Sequence, residues 1–203
     1  FRKDRINTRY IVRDRTTPSG VALIFVAKGG QNSIGVASGA NGRLSPADVR
    51  RARVAIGSAQ VLLTQLETPL ETVEAAAKLA VARGVKVILN PAPARPMPDS
   101  LLRKVSILTP NESEAELLTG VRVNDDRSAA RAADRLLAKG VATVVITLGA
   151  RGAYVAHGEG RERVSGFRVK AVDTTAAGDI FNGALAVALA EGRLLKEAVR
   201  FAN

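Results

Sequence analysis

Asp173-Thr-Thr-Ala-Ala-Gly-Asp-Ile-Phe-Asn-Gly-Ala184 is the stretch on which the interpretation of the whole chain depends. Its small residues Ala176, Ala177 and Gly178 leave the backbone N–H groups unobstructed, and an apolar helical pattern follows over residues 180–189. The first N–H groups of a helix have no intrahelical acceptor and carry partial positive charge, so they bind anions, phosphate above all. The stretch therefore predicts an anion site at the start of a helix.

Asp179 lies in the same turn, where its carboxylate would stand beside a bound phosphate. A carboxylate makes little sense in a simple anion binder, because it repels the anion. It does make sense as a base that takes the proton from an attacking hydroxyl group. Alternatively, Asp179 caps its helix, as Asp often does. The spacing alone supports both interpretations about equally.

The composition describes a chain that can bury a core as one domain with a small appendage, since 46% of the 203 residues are hydrophobic. The sequence contains no cysteine, which excludes disulfides and Cys-based zinc sites, and its single histidine, His157, excludes a His-rich metal site. No apolar run reaches the roughly 18–20 residues that span a bilayer, and the first residues do not resemble a signal peptide. We therefore expect a cytoplasmic protein without a membrane partner.

The net charge of +11 raises the alternative of a nucleic-acid binder. The basic residues are scattered, however, and the densest cluster, Arg50, Arg51 and Arg53, lies on a predicted exposed helix side. Aromatic residues make up only 3% of the chain, so base-stacking side chains are scarce. Nucleic-acid binding is therefore a minor alternative.

The first part of the chain is predicted to form two extended segments, residues 6–12 and 21–27, joined by a turn at residues 16–20. Both faces of the second segment are apolar. A small two-sided sheet of this kind cannot stand alone in water, so it must cover something or pair with another copy. Ordinary sandwich strands are the alternative.

From residue 31 onward, strands alternate with helices through short loops, which predicts a mostly parallel sheet with right-handed crossovers. Residues 152–156 and 167–172 are predicted to add an antiparallel edge. In such sheets the ligand lies beyond the carboxyl ends of the strands. The notable residues at those predicted ends are Glu67, Asn90, Asn111, Gly149 and Asp173.

Three predicted helix starts have the spacing of a capping box, in which the N-cap side chain and the third helical residue bond each other's backbone. They are Ser45 with Asp48, Thr68 with Glu71, and Asn111 with Glu114. The first of these helices is predicted to run to about residue 58.

Five further stretches are recognisable motifs: Pro18-Ser-Gly-Val-Ala-Leu-Ile24, Gln65-Leu-Glu67, Asn90-Pro-Ala-Pro-Ala94, Thr109-Pro-Asn-Glu-Ser-Glu114 and Thr147-Leu-Gly-Ala-Arg-Gly152. In these five motifs and in residues 173–184, the chain resembles the ribokinase-like (pfkB) carbohydrate kinases, and the resemblance extends over nearly its whole length. The resemblance implies an α/β, ribokinase-like doubly wound fold: a mostly parallel sheet flanked by helices, with a small β lid. It divides the chain into a partial lid, residues 6–27, and an α/β nucleotide-binding core, residues 28–203.

The activity that the resemblance implies is ATP-dependent phosphorylation of D-ribose to ribose 5-phosphate. Asp179 matches the family's catalytic base, which also contacts the sugar hydroxyl. The N–H groups of Ala176, Ala177 and Gly178, together with that of Asp179, match the anion hole for the transferring phosphoryl group. Another sugar or nucleoside kinase of the family is the alternative, as is a nucleotide- or sugar-binding module without turnover.

The remaining site residues also follow from the resemblance. Those that match the ATP site are Asn111, Thr147, Gly149, Gly152 and Asn203. Glu114 matches a residue that holds Mg²⁺ through water, although Asn111 and Glu114 have the capping-box spacing as well. Asp173 and Thr175 match part of a monovalent-cation (K⁺) site.

Glu67 matches an acid that hydrogen-bonds sugar hydroxyls, and the alternative is an acidic residue at the start of the next helix. Ala22 and Ile24 match the apolar side of the sugar site. The lid to which they belong also implies a homodimer.

Two positions depart from the family's pattern. Ala176 replaces a frequent Gly, which is acceptable if its φ is negative, and Ile180 replaces a frequent Thr or Ser. The chain also begins after the family's first strands and stops before its C-terminal loop. We therefore expect this chain by itself to bind sugar poorly and to turn over little.

Overall fold

Strands rich in Val, Ile and Leu form the centre of the computed structural model, which describes residues 1–26, 32–158, 160–171 and 173–203. Four of them are parallel and adjacent in chain order: β3 (Val61–Thr64), β4 (Lys86–Leu89), β5 (Ile107–Leu108) and β6 (Thr143–Thr147). In β4, Val87 and Leu89 point into one core cluster and Ile88 into another. This alternation requires that both faces of the sheet be covered.

Helices cover both faces of this sheet. The helices are α1 (Pro46–Arg51), α2 (Arg53–Gly57), α3 (Leu70–Val81), α4 (Asp99–Leu102), α5 (Glu112–Thr119), α6 (Asp126–Ala138), α7 (Ala177–Ala190) and α8 (Leu195–Ala202). Residues of α3 to α6, such as Val73 and Leu136, pack on the face that Val87 shares. Leu185 of α7 and Val199 of α8 pack on the other face. The predicted α/β fold with a mostly parallel sheet flanked by helices is confirmed.

The antiparallel edge exists, but its second strand is displaced from the predicted position. β7 (Ala153–His157) pairs with β6 and with β8 (Gly160–Val164), whereas residues 165–171 contain no strand. The prediction of a strand at 167–172 was wrong for residues 167–171, and residue 172 lies outside the described residues. The strand β8 was not predicted because it has little apolar pattern. Arg161 and Arg163 are exposed and form ion pairs with acids of α6. Charges on an edge strand protect it from pairing with other chains.

Helix starts follow the capping signals in part. Ser45 forms its capping box with Asp48 at the start of α1. The single helix predicted to run to residue 58 is divided at Ala52 into α1 and α2. The box predicted at Thr68 does not form, because α3 starts after Pro69 without a side-chain cap. Proline at that position presets the backbone and lacks an N–H group to satisfy.

A separate two-stranded antiparallel sheet occupies part of the region predicted to be a lid, and we refer to it as the lid sheet or lid. Its strands are β1 (Val21–Val26) and β2 (Asn32–Ala37), and Ala22 stands opposite Val36. Residues 6–12 contain no strand, so the prediction there was wrong; local turns, such as the Arg9 N–H bonded to Asn7, take their place. The lid sheet therefore continues beyond residue 27, where the sequence division was drawn. Residues 27–31 lie outside the described residues.

Across the described part of the chain, no helix combines the length and apolar character needed to cross a bilayer.

Candidate active site

The loops that follow the parallel strands are hydrogen-bonded to one another at one edge of the sheet. The N–H of Asn90 donates to the carbonyl of Thr64 at 2.9 Å, and that of Thr109 to Leu89 at 3.0 Å. The side-chain amide of Asn90 then donates to the carbonyl of Thr109 at 3.0 Å. These contacts join the carboxyl ends of β3, β4 and β5 through hydrogen bonds into one polar edge of the sheet, which we call the ledge. A ligand of an α/β sheet is expected at this edge.

The first turn of α7 has an open backbone. Ala176 is the N-cap with φ 59° and ψ 13°, so the condition under which alanine would replace glycine without cost, a negative φ, is not met. A left-handed conformation costs an L-residue roughly 1–2 kcal/mol, which explains why glycine would be favoured there. Ala176, Ala177, Gly178 and Asp179 are all exposed.

Two backbone donors of this turn have no acceptor among the described residues. The N–H of Ala177 donates to the carbonyl of Thr174 at 3.2 Å, and that of Ile180 to Ala176 at 2.9 Å. No such bond is made by the N–H groups of Gly178 and Asp179 within the described part, and no side chain caps the helix. Asp179 therefore does not act as the cap that the sequence left open as an alternative.

A buried side-chain bridge links this turn to the strand ends. The hydroxyl of Thr109 donates to Oδ1 of Asn182 at 2.6 Å, and Nδ2 of Asn182 donates to the carbonyl of Gly178 at 2.8 Å. Sequence reasoning assigned no role to either side chain. The available signal was Asn182 itself, a polar residue within the otherwise apolar helical pattern.

Asn111 and Glu114 form the predicted capping box of α5. Oδ1 of Asn111 accepts the N–H of Glu114, and Oε2 of Glu114 accepts the N–H of Asn111, both at 2.8 Å. Burial raises the pKa of the Glu114 carboxyl group, and the hydrogen bond from Asn111 partly opposes this shift. The backbone of Asn111 also pairs with that of Thr147 in an isolated parallel β-bridge, so the structure brings these two predicted nucleotide-site residues together.

The turn after β6 contains the other nucleotide-site candidates. Gly149 has φ 55° and Gly152 has φ 91°, and the N–H of Gly152 donates to the carbonyl of Gly149 at 3.0 Å. A Cβ on Gly152 would lie 2.1 Å from the carbonyl oxygen of Val164, whereas one on Gly149 would meet nothing within 4 Å. The Asn203 side chain donates to the same Val164 oxygen at 3.2 Å, which places Asn203 beside this turn.

Glu67 lies in a different part of the edge, within a cleft of about 520 Å³ between the lid and the loops after β3 and β4. Val36, Asn41 and Arg95 also line the cleft, but Asp179 is not among its described lining residues. The position opposite Val36 is Ala22, and Ile24 follows on the same face of β1.

Asp173 and Thr175 precede the turn and are exposed. Oδ1 of Asp173 accepts the N–H of Thr175 at 2.8 Å. This hydrogen bond, with a second from the Thr175 hydroxyl, lowers the pKa of Asp173 and keeps its carboxylate charged.

Comparison with known proteins gives the class to which this fold and site belong. The family model described as pfkB family carbohydrate kinase matches residues 1–203. The chain therefore belongs to the pfkB family of carbohydrate kinases, and the family and fold predicted from the motifs are confirmed.

Particular relatives are ribokinases. The chain is 50% identical over 202 residues to the ribokinase of Haemophilus influenzae, covering 99% of this chain and 66% of that one. A Thermotoga maritima ribokinase structure matches 92% of the chain and 61% of its own at 38% identity and a TM-score of 0.80. An Arabidopsis thaliana ribokinase complexed with ribose and ATP matches 92% and 61%, at 34% identity and a TM-score of 0.81. The chain thus spans about two thirds of the length of the curated relatives it matches.

Gly149 and Gly152 offer a matched test of the turn after β6. Gly149→Ala places a methyl group in open space at positive φ and should lower the free energy of unfolding by about 1 kcal/mol. Gly152→Ala adds a collision with the Val164 backbone and should cost at least about 3 kcal/mol. Urea unfolding followed by circular dichroism measures both. Equal losses would show that the contact with Val164 does not restrict residue 152.

Burial of Glu114 predicts a pH dependence of stability. Because its folded pKa lies above the unfolded value near 4.5, the folded state binds more protons in the window just above that value. The unfolding free energy contributed by this group therefore falls as pH rises through the window. Glu114→Gln keeps the capping acceptor without the charge, so its stability relative to wild type should improve from pH 4 to pH 7.

Denaturant unfolding of Glu114→Gln at a series of pH values measures this change. Glu116→Gln, on the exposed side of the same helix, controls for loss of one negative charge. A stability difference between Glu114→Gln and wild type that does not vary with pH would contradict the prediction.

Proposed function

We propose that this protein transfers the γ-phosphoryl group of ATP to D-ribose, giving ribose 5-phosphate and ADP. The observation that carries the proposal is the exposed, uncapped first turn of α7 at the strand-end ledge. There the N–H groups of Gly178 and Asp179 have no acceptor within the described residues, and the Asp179 carboxylate is adjacent. The identity to ribokinases and the ribose and ATP in the Arabidopsis thaliana relative support this choice of substrates.

In the proposed reaction, a ribose hydroxyl oxygen attacks the γ-phosphorus while the bond to the ADP oxygen breaks. Asp179 accepts the hydroxyl proton. The N–H groups of the turn, including those of Ala176 and Ala177 once ligand is bound, stabilise the charge on the transferring phosphoryl oxygens. With a loose transition state the proton leaves late, so a carboxylate is a sufficient base.

We assign sugar binding to the cleft that contains Glu67. A carboxylate only accepts hydrogen bonds, which suits a polyol that presents several hydroxyl donors. Ala22 and Ile24 share the lid face of Val36, which lines the cleft, and supply the apolar side of the sugar site. Asn90, in the loop after β4, bonds Thr109, and Thr109 bonds Asn182 of α7.

We assign the nucleotide to the side of the edge that holds Asn111, Thr147, Gly149, Gly152 and Asn203. The bridge from Asn111 to Thr147 supports this grouping. Gly152 and Asn203 also meet at the end of one strand: the Val164 carbonyl lies against the Cα of Gly152 and accepts a hydrogen bond from the Asn203 side chain. The open space around Gly149 permits close approach of a ligand to its backbone. Gly152 has in addition a structural role, because β8 occupies the space of its missing side chain.

Oxygen donors at the site fit the two metal ions implied by the family. The half-buried carboxylate of Glu114 and the amide of Asn111 are hard ligands that suit Mg²⁺ held largely by water and ATP phosphates. Among the described residues, no three His, Cys, Asp or Glu side chains are grouped so that they could hold a metal ion. For K⁺, the charged carboxylate of Asp173 beside Thr175 is an oxygen ligand next to the turn.

The outer face of the lid supports a homodimer. Val21, Leu23 and Phe25 share the face of β1 opposite that of Ala22 and are 57%, 61% and 66% exposed. Apolar side chains arranged in a row on a two-stranded sheet are stabilised when another surface covers them. We therefore propose that a second copy of the lid covers this face. The cytoplasmic location stays a prediction.

Asp179→Asn tests the chemistry. Loss of a general base should lower kcat for ribose phosphorylation by about 10²–10⁴-fold, while affinity for ATP changes little. A coupled ADP-release assay gives kcat, and calorimetry gives ATP affinity. Glu191→Gln, at the opposite end of α7, controls for removal of an acid from the same helix and should retain the wild-type rate.

Three outcomes would count against parts of this proposal. An Asp179→Asn variant with wild-type kcat would remove Asp179 from the role of base. Because this chain by itself is expected to turn over little, the assays use the full-length parent protein, and a parent that binds ATP without turnover would favour the binding module. Turnover of another sugar or a nucleoside, but not of ribose, would favour a different kinase of the family.

Leu23→Glu tests the dimer. Sedimentation velocity should give a dimer for the wild type and a monomer for Leu23→Glu, because the new charge would be buried between lids. Val54→Glu, at an equally exposed apolar position on α2, should leave the dimer intact. Monomeric wild-type protein at micromolar concentration would contradict the proposed dimer.

A further inference from the structure

Asn182 is an unexpected residue for its position in α7. Only four polar residues are buried within the described residues: Thr72, Thr109, Ser128 and Asn182. Thr72 bonds the carbonyl of Leu44, and Ser128 belongs to the cap of α6. Thr109 and Asn182 bond each other at 1% and 4% exposure, although an apolar pair would bury at lower cost.

The bridge has a defined direction. The single hydroxyl proton of Thr109 has two candidate acceptors, Oδ1 of Asn182 at 2.6 Å and the carbonyl of Leu89 at 3.4 Å. The shorter hydrogen bond is much the stronger, so Oδ1 of Asn182 is the acceptor of the hydrogen bond from the Thr109 hydroxyl. Its Nδ2 group donates onward to the carbonyl of Gly178 at 2.8 Å. A chain of hydrogen bonds thus runs from the end of β5 to the first turn of α7.

The end point of the chain lies in the anion turn itself. The carbonyl of Gly178 and the N–H of Asp179 belong to the same peptide group. A hydrogen bond received by that carbonyl polarises the peptide and strengthens its N–H as a donor. That N–H is one of the two without an acceptor among the described residues. The bridge therefore acts on a donor of the proposed anion hole.

Little else in the described structure holds the turn in place. Its residues from Ala176 to Ile180 are exposed, and the side chains that anchor α7, Phe181 and Leu185, make apolar contacts. Hydrophobic contact is non-directional and tolerates small shifts of a helix along the sheet. A hydrogen bond restricts both distance and angle, and a displacement of about 1 Å at a reacting group can cost about 10²-fold in rate.

We propose that Thr109 and Asn182 are positioning residues for phosphoryl transfer, and that their buried bridge sets the place and donor strength of the Gly178–Asp179 peptide. This inference rests on the proposed kinase function. Neither side chain needs to touch substrate, because the effect passes through the backbone of the turn. The Asn90 amide, bonded to the carbonyl of Thr109, holds the other end of the bridge on the ledge.

Four variants separate positioning from simple stabilisation. Thr109→Val removes the hydroxyl at constant shape and should lower kcat about tenfold or more with little change in KM for ribose. Thr109→Ser retains the donor and should stay within about threefold of the wild-type kcat. Asn182→Leu removes the side chain that accepts from Thr109 and donates to the carbonyl of Gly178. Thr109→Val/Asn182→Leu leaves no buried polar group unpaired, so its thermal midpoint should return towards that of the wild type while its kcat stays low.

Hydrogen–deuterium exchange gives a readout that does not depend on activity. Peptides covering residues 174–182 should exchange faster in Thr109→Val and in the double variant, but not in Thr109→Ser. If kcat recovers together with the thermal midpoint in the double variant, the bridge is merely structural and the inference is wrong. Unchanged exchange at 174–182 in Thr109→Val also overturns it. If the variants show this exchange pattern but the full-length parent protein has no kinase activity, only the proposed function is refuted.

Discussion

Parallel pairing carries the carboxyl ends of β3, β4, β5 and β6 to one edge of the sheet, and the polar groups that follow these strands must satisfy one another there. The side-chain amide of Asn90 donates to the carbonyl of Thr109 at the end of the neighbouring strand. The hydroxyl of Thr109 donates in turn to Asn182 of α7. Residues separated by up to 73 positions in the chain thereby form one ledge. The candidate site depends on this convergence.

Several residues at the edge serve structure and proposed function together. The capping box of Asn111 and Glu114 starts α5, and the same oxygens suit an indirectly held Mg²⁺. Gly152 makes room for β8 while lying in the proposed nucleotide turn. Ala176, by contrast, does not stabilise the fold. Its left-handed conformation and the uncapped helix end both cost folding free energy. Apolar packing of α7 offsets that cost, and strain of this kind is common at functional sites.

Sequence reasoning failed where local pattern and tertiary pairing disagree. β8 carries two exposed arginines and one buried valine, so its strand pairing could be recognised only beside β7. The sequence pattern predicted a strand partner for β1 at residues 6–12, before it in the chain, but its partner β2 lies after it. A strand is defined by the neighbour that satisfies its backbone, and a single sequence does not contain that neighbour's position. The hydrogen bond between Thr109 and Asn182 could not be predicted for the same reason.

The sequence by itself determined the alternation of helices and strands, the starts of α1 and α5, and the family, because hydrophobic period, capping spacing and motifs are local properties. It also marked the turn at residues 173–184 and the acid within it. The tertiary structure alone decided that Ala176 is left-handed, that two N–H groups of the turn lack acceptors in the described part, and that Thr109 reaches Asn182. Those features depend on how α7 docks on the sheet, and docking is set by contacts between residues far apart in the chain.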